Sequence, residues 1–293
     1  MDLPKEKSAC SITFGECVET HAGMQQTGTI RDIGFTLQEL RDIQQKNPKN
    51  CHLIMLSDYL PSNLQEANQA GVLIIRDGLQ LFGVNRNQLY DEQMALNHDK
   101  HALMRGAVKN KRARHNLCFA DFSQVADYEH GKGTIIDFKD VPILNTLKNS
   151  LSTILGVKAE GLFAELNVYF NEKACGIGFH GDTERRIVVC ARVGRDNPLQ
   201  YQWFNRSRPV CNCGLPIFTE KAENFNTCQC TEPVTTRINL HLHEGDMYIM
   251  SDKAVGHDWK KSSIYTLRHA AGGNKYCSTK YDKICRVEVI EVI

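Results

Sequence analysis

Residues 166–194 read LNVYFNEKACGIGFHGDTERRIVVCARVG. Two apolar runs suited to strands flank a turn rich in Gly, Asn and Glu, and just beyond that turn stands His180-Gly181-Asp182. Side chains two positions apart on a strand share a face, so this imidazole and this carboxylate can grip one cation together. A third ligand has to come from elsewhere. His257 is the leading candidate, because the strand-like run GDMYIMSDKAVGH (245–257) could return to the same rim. Two His and one carboxylate leave coordination positions open, the arrangement of non-heme iron(II) oxygenases. His241, His243 and His269 compete for the third place. The first two precede Gly245-Asp246, and His269 points to the opposite strand face from its neighbour Arg268.

Outward from this stretch, PILNTLKNSLSTILG (142–156) predicts a helix opened by Pro142, closed by Gly156 and striped by Ile143, Leu144, Leu147, Leu151 and Ile154. After it come strand-like runs at LFAELNVYF, GIGFHGD, RRIVVCARVG, LQYQWF, TRINLHLH, DMYIMSD and SIYTLRHA, with turn signals between them. Such a series predicts a β-sandwich or jelly-roll barrel preceded by helices. Residues 1–108 read as a mixed α/β extension, a packing or lid subdomain. In it, Thr36 caps a helix striped by Phe35, Leu37, Leu40 and Ile43, HLIMLSDYL is a buried strand, NLQEANQA a short helix, and GVLIIRDGLQLFGV (71–84) a hairpin around Asp77-Gly78. A second domain, carrying the His-Gly-Asp run, is placed at 109–293.

The chain has 293 residues, 42% of them apolar, enough for a sizeable core. No run approaches the roughly 18 apolar residues of a membrane span, and the start lacks the apolar stretch of a signal peptide, so an intracellular location without a membrane partner is expected. With a net charge of +1, any basic binding surface must be local. Twelve cysteines in a chain of this length suggest thiols or metal ligands rather than a disulfide scaffold. Cys211, Cys213, Cys228 and Cys230 form CxC, a fourteen-residue gap and CxC, a set able to close a structural zinc site or to remain as loop thiols. Lys109, Lys111, Arg112 and Arg114 precede the aromatic Phe119, Phe122 and Tyr128, a pattern suited to a nucleic-acid strand with a flipped base, or to a solvated strand edge.

The stretch 166–194 resembles the core of AlkB-type dioxygenases: Asn167, Tyr169, His180, Asp182 and Glu184 fill that family's Asn-x-Tyr, His-x-Asp and following acidic positions. RHNLCFADFSQVADYEHGKG (114–133) resembles its nucleotide-recognition entry, and EGDMYIM (244–250) its strand before the distal His; the likeness covers roughly 109–272. The resemblance implies an α+β protein with a double-stranded β-helix (jelly-roll) core and flanking helices. It implies iron(II) held by His180, Asp182 and His257, and 2-oxoglutarate anchored by Arg268 with help from Tyr169 and Asn167. Dioxygen is then the oxidant, and a modified nucleobase in DNA or RNA is the substrate, contacted by Lys109, Lys111, Arg112, Arg114, Tyr128 and Glu184. The same chemistry on a protein side chain or small molecule, and a catalytically silent binding module, are the alternatives. Arg268 lies eleven residues beyond His257, but the family's closing Arg-x-Asn-x-Thr-x-Arg is incomplete. Asn274 stands at its second arginine in one register, and Ser262 at its first in the other.

Overall fold

The computed structural model describes residues 6–19, 21–218 and 226–292. Its strands are β1 (Ala9–Gly15), β2 (Cys17–Glu19), β3 (Gln26–Gly28), β4 (Cys51–Met55), β5 (Gly71–Ile75), β6 (His101–Met104), β7 (Ala107–Asn110), β8 (His115–Ala120) and β9 (Ile135–Asp137). They continue as β10 (Phe163–Tyr169), β11 (Gly176–His180), β12 (Val189–Gly194), β13 (Leu199–Asn205), β14 (Arg208–Pro209), β15 (Val234–Leu240), β16 (Met247–Met250), β17 (Tyr265–Gly272) and β18 (Arg286–Val292). The helices are α1 (Leu37–Lys46), α2 (Ser62–Gln65), α3 (Gly78–Leu81), α4 (Arg86–Met94), α5 (Pro142–Leu155) and α6 (Asp252–Val255).

Two large, mainly antiparallel sheets dominate this mixed α/β protein. One runs β4-β5-β16-β12-β1-β10-β8-β9, the other β11-β17-β13-β15-β18. Alternation along the strands sorts residues into two cores. On the first sheet Cys10, Ile12, Phe14, Leu166, Val168, Val189, Ala191, Met247 and Ile249 pack against Leu40 and Ile43 of α1, Leu89 of α4 and the Leu144-Leu147-Leu151-Leu155 stripe of α5. The opposite face contributes Val72, Ile74, Cys190, Tyr248 and Met250 to a second core with Leu199, Tyr201 and Trp203 of β13, Ile238 and Leu240 of β15 and Leu267 of β17. The order is therefore helices, sheet, sheet, with each fully buried aliphatic side chain contributing about 1.5–3 kcal/mol. No helix among the described residues is long and apolar enough to cross a membrane.

Local chemistry matches the helix signals. Thr36 caps α1 by accepting from Glu39 N (3.2 Å), while Glu39 accepts from Thr36 N (2.7 Å), a reciprocal capping box. Pro142 opens α5, and Gly156 ends it at φ +81°. Two sequence expectations give way. The 71–84 hairpin is instead strand β5 followed by α3: Leu79 N bonds Gly245 O (3.0 Å), and Gly78 lies so near Met247 that a Cβ there would sit 2.8 Å from the Met247 side chain. The division at residue 108 coincides with no break in the first sheet. β1 lies between β10 and β12, and β5 pairs with β16, so the segment expected to be a separate extension is interleaved with the rest.

Candidate metal centre and its cavity

β11 and β17 are antiparallel, and their register sets His180 opposite His269. Just past β11 the chain passes against the turn after α6. Asp182 N donates to Val255 O (3.0 Å), and a Cβ at Gly181 would lie 2.1 Å from Gly256 O. Only glycine fits between the two candidate ligands of the His-Gly-Asp run. His180 Nδ1 lies 2.8 Å from Gly178 O; donating there leaves Nε2 with its lone pair, 3.5 Å from Asp182 Oδ1. His269 Nε2 lies 3.6 Å from the same oxygen. One ligand atom from each of the three residues falls within 4.8 Å of the others. Two imidazole nitrogens and one carboxylate oxygen converging in this way fit a divalent transition metal with open positions.

Burial opposes ionisation of Asp182, but the adjacent His180 and His269 rings and the Arg185 guanidinium hold its carboxyl well below the usual range. Burial, and then His180, lower the His269 imidazole. Arg185, itself buried, reaches Glu165 (2.8 Å), Glu184 (2.9 Å) and Asp182 (3.6 Å). Glu165 also accepts from Asn116 (3.1 Å) and Asn167 (3.2 Å), and Arg114 donates to Asn167 Oδ1 (2.6 Å). This connected polar layer fixes the orientation of Asp182.

The centre opens into a cavity of about 310 Å³ between the two sheets. Its wall is the polar face of strands whose other face is the helix-side core: Ser11 and Thr13 on β1, Glu165, Asn167 and Tyr169 on β10, and Arg192 on β12. Arg192 is 5% exposed and stands opposite Ser11 in register. Its Nη2 donates to Asn197 O, and among the described residues no carboxylate pairs with it. A buried guanidinium without a counter-charge is costly unless a ligand supplies one. Tyr169 and Tyr248 also line the cavity, and burial pushes both phenols up, so both stay protonated as donors. Also on the lining, burial pushes the Glu19 carboxyl up to about 7, against an opposing hydrogen bond from Gly23 N. Burial and Asp182 likewise raise Glu184.

The structure thus brings His180, Asp182, Tyr169, Asn167, Glu184 and Arg114 together on one cavity lining. It does not bring His257 or Arg268. His257 follows the glycine that packs on Gly181, and its buried Nδ1 has no partner; the third atom of the cluster comes from His269. On β17, Leu267 and His269 face inward, so Arg268 must face the other way. Its guanidinium lies over the rings of Phe204 (4.3 Å) and Trp259 (5.0 Å) and donates to Trp259 O (3.1 Å). His241 and His243 pair with Glu291 (2.6 Å) and Asp196 (2.8 Å) on the surface. The basic segment is split as well: Lys109 and Arg112 border a shallow outer depression, Lys111 is buried, and Arg114 lines the central cavity. Tyr128 donates to Asp99 (2.7 Å) and is not among the cavity residues. Sequence reasoning missed Arg192 as a site residue, although a lone arginine inside the apolar run VVCARVG was the available signal.

Cys211, Cys213, Cys228 and Cys230 form a second group, each contributing a sulfur within 4.8 Å of the others. No family model matches the chain. Among curated proteins it is 39% identical over 274 residues to "Uncharacterized protein R156" of Acanthamoeba polyphaga mimivirus, an alignment spanning 92% of this chain and 98% of the viral protein.

Proposed function

The chain belongs to the family of that mimivirus protein, and we propose that it is an AlkB-like iron(II)- and 2-oxoglutarate-dependent oxygenase. The observation that carries this reading is a single cavity holding both the His180-Asp182-His269 convergence and the buried Arg192, which has no carboxylate partner among the described residues. Iron(II) with 2-oxoglutarate and dioxygen supplies oxidative decarboxylation coupled to insertion of oxygen into a substrate C–H bond. His180, Asp182 and His269 would hold the metal and leave positions open for co-substrate and dioxygen. Arg192 would pair with the far carboxylate of 2-oxoglutarate, with Tyr169 and Tyr248 as neutral donors on the same wall. Arg185 keeps Asp182 ionised and aimed, and the enclosing sheets exclude water from the reacting group.

Topology supports a double-stranded β-helix in which β11-β17-β13-β15 face β10-β1-β12-β16. In such a barrel the strand completing the second set would ordinarily follow β17 and could carry the anchoring arginine. Here β18 leaves for the far edge beside β15, and β1 takes the place between β10 and β12. The arginine duty then falls to the neighbouring strand β12. For the substrate we propose an N-alkylated nucleobase: ring alkylation confers positive charge, which would favour the ionised form of the cavity-lining Glu19, while exposed Lys109 and Arg112 suit the phosphates of the strand that carries it.

The test is anaerobic metal titration followed by succinate formation with 2-oxoglutarate. His269→Ala is expected to lose iron binding and turnover, and His257→Ala to retain iron. Iron retained in His269→Ala and lost in His257→Ala would reassign the third ligand and sink the site as described.

A further inference from the structure

The paired CxC motifs lie outside the cavity and have no part in the reaction proposed above. Cys211 follows β14, bridges to Thr235 at the start of β15, and begins a tight turn in which Gly214 N returns to Cys211 O (2.7 Å) with Gly214 at φ +91°. Asn212 N bonds Val234 O (2.7 Å), and Cys228 N bonds Pro216 O (3.0 Å), so backbone hydrogen bonds from different segments bring the two motifs together. Cys211 Sγ and Cys230 Sγ are 4.0 Å apart, and all four sulfurs lie within 4.8 Å of one another. A tetrahedral zinc ion with Zn–S bonds of about 2.3 Å needs sulfurs roughly 3.8 Å apart, so the group matches a four-thiolate cage with small adjustment. A disulfide needs about 2.05 Å, and all twelve cysteines are unbridged.

The turn also touches the strand that matters most to the cavity. Tyr265, the first residue of β17, donates its hydroxyl to Gly214 O (2.7 Å), and the same strand carries His269. The side chains of Leu64 and Pro61 crowd the other side of Gly214. We propose that Cys211, Cys213, Cys228 and Cys230 bind a structural zinc ion that fixes the β14–β15 connection and, through Gly214 and Tyr265, the start of β17. The site is closed, with four protein ligands and no position for substrate, so its role is mechanical.

Metal analysis of the full-length protein, purified without added metal and treated with a chelator too weak to strip thiolate sites, is expected to give about one zinc ion per chain. Asp182→Ala with His269→Ala should leave that zinc in place, whereas Cys228→Ser with Cys230→Ser should remove it. Since the cysteine variant risks misfolding, cobalt(II) exchanged into the native protein provides a second reading. Intense thiolate-to-cobalt charge transfer and tetrahedral ligand-field bands are expected, unchanged in the Asp182, His269 variant. Absence of zinc together with absence of the thiolate bands would overturn the proposal. So would four cysteines that resist alkylation until reduced, which would mean two disulfides.

Discussion

Arg192→Leu separates the anchoring arginine proposed above from the one the sequence suggested. Arg192 is 5% exposed, has no carboxylate partner among the described residues, and lines the cavity that holds the candidate metal ligands. A co-substrate carboxylate seated there without it would be a buried charge stripped of its partner, a loss of about 3–5 kcal/mol. At about 1.4 kcal/mol per tenfold, that is roughly two to four orders of magnitude in the 2-oxoglutarate requirement. The assay is succinate formation against 2-oxoglutarate concentration, with calorimetric binding of 2-oxoglutarate to the manganese(II)-loaded protein as a turnover-free check. Arg192→Lys keeps the charge but not the planar fork and should fall between the two. Arg268→Leu is the control. Its side chain stacks on Phe204 and Trp259, on the face away from the cavity, so it should cost stability by thermal unfolding and leave the 2-oxoglutarate requirement within a few-fold. An unchanged requirement in Arg192→Leu, or a large rise in Arg268→Leu, would refute the assignment.

Three further outcomes follow from the geometry. Gly181→Ala puts a methyl 2.1 Å from Gly256 O, both being backbone-fixed, so urea unfolding should show a loss of about 1–3 kcal/mol with weakened metal binding; a normal stability would mean that the turn after α6 yields freely. Glu19 has a folded-state pKa raised to about 7, so the proton is held more tightly in the native state than in the unfolded chain. The stability this gives the metal-free protein is present below the unfolded carboxyl value and lost as pH rises through about 7, and Glu19→Gln should flatten that decline in a pH series of unfolding midpoints. Replacing Lys109 and Arg112 by Gln should lower the salt slope of oligonucleotide binding by roughly 0.7–0.9 per lost contact; native protein without salt-dependent binding to DNA or RNA would end the nucleobase proposal.

The first half of the centre was legible because it is local. His180 and Asp182 share a face by strand periodicity, and the glycine between them is the one residue that clears Gly256. The third member of the group was not, since counting residues to Arg268 ignores which way β17 turns its side chains. Leu267 is inward, so His269 is inward and Arg268 outward. The alternation of Cys10, Ile12 and Phe14 with Ser11 and Thr13 was visible in ACSITFG, but nothing in those residues says that both edges of this strand are paired with β10 and β12. Such pairing is set by partners far along the chain, and the sequence reading accordingly set this segment apart as an extension. The hairpin at 71–84 failed for a similar reason: a tertiary contact, Gly78 against Met247, outweighed the local turn signal.

The position of β1 also bears on how the polypeptide reaches its native state. Ala9 is matched with Tyr169 on one side and Gly194 on the other, both more than half the chain's length away. A strand made before either neighbour must wait, with both edges unsatisfied, until β10 and β12 emerge during synthesis. Long-range closure of this kind slows folding and leaves a β-prone segment open to mispairing in the interval. The cavity wall that carries Ser11 and Thr13 is therefore completed late, and binding there reports on the finished topology of the whole sheet rather than on any one hairpin.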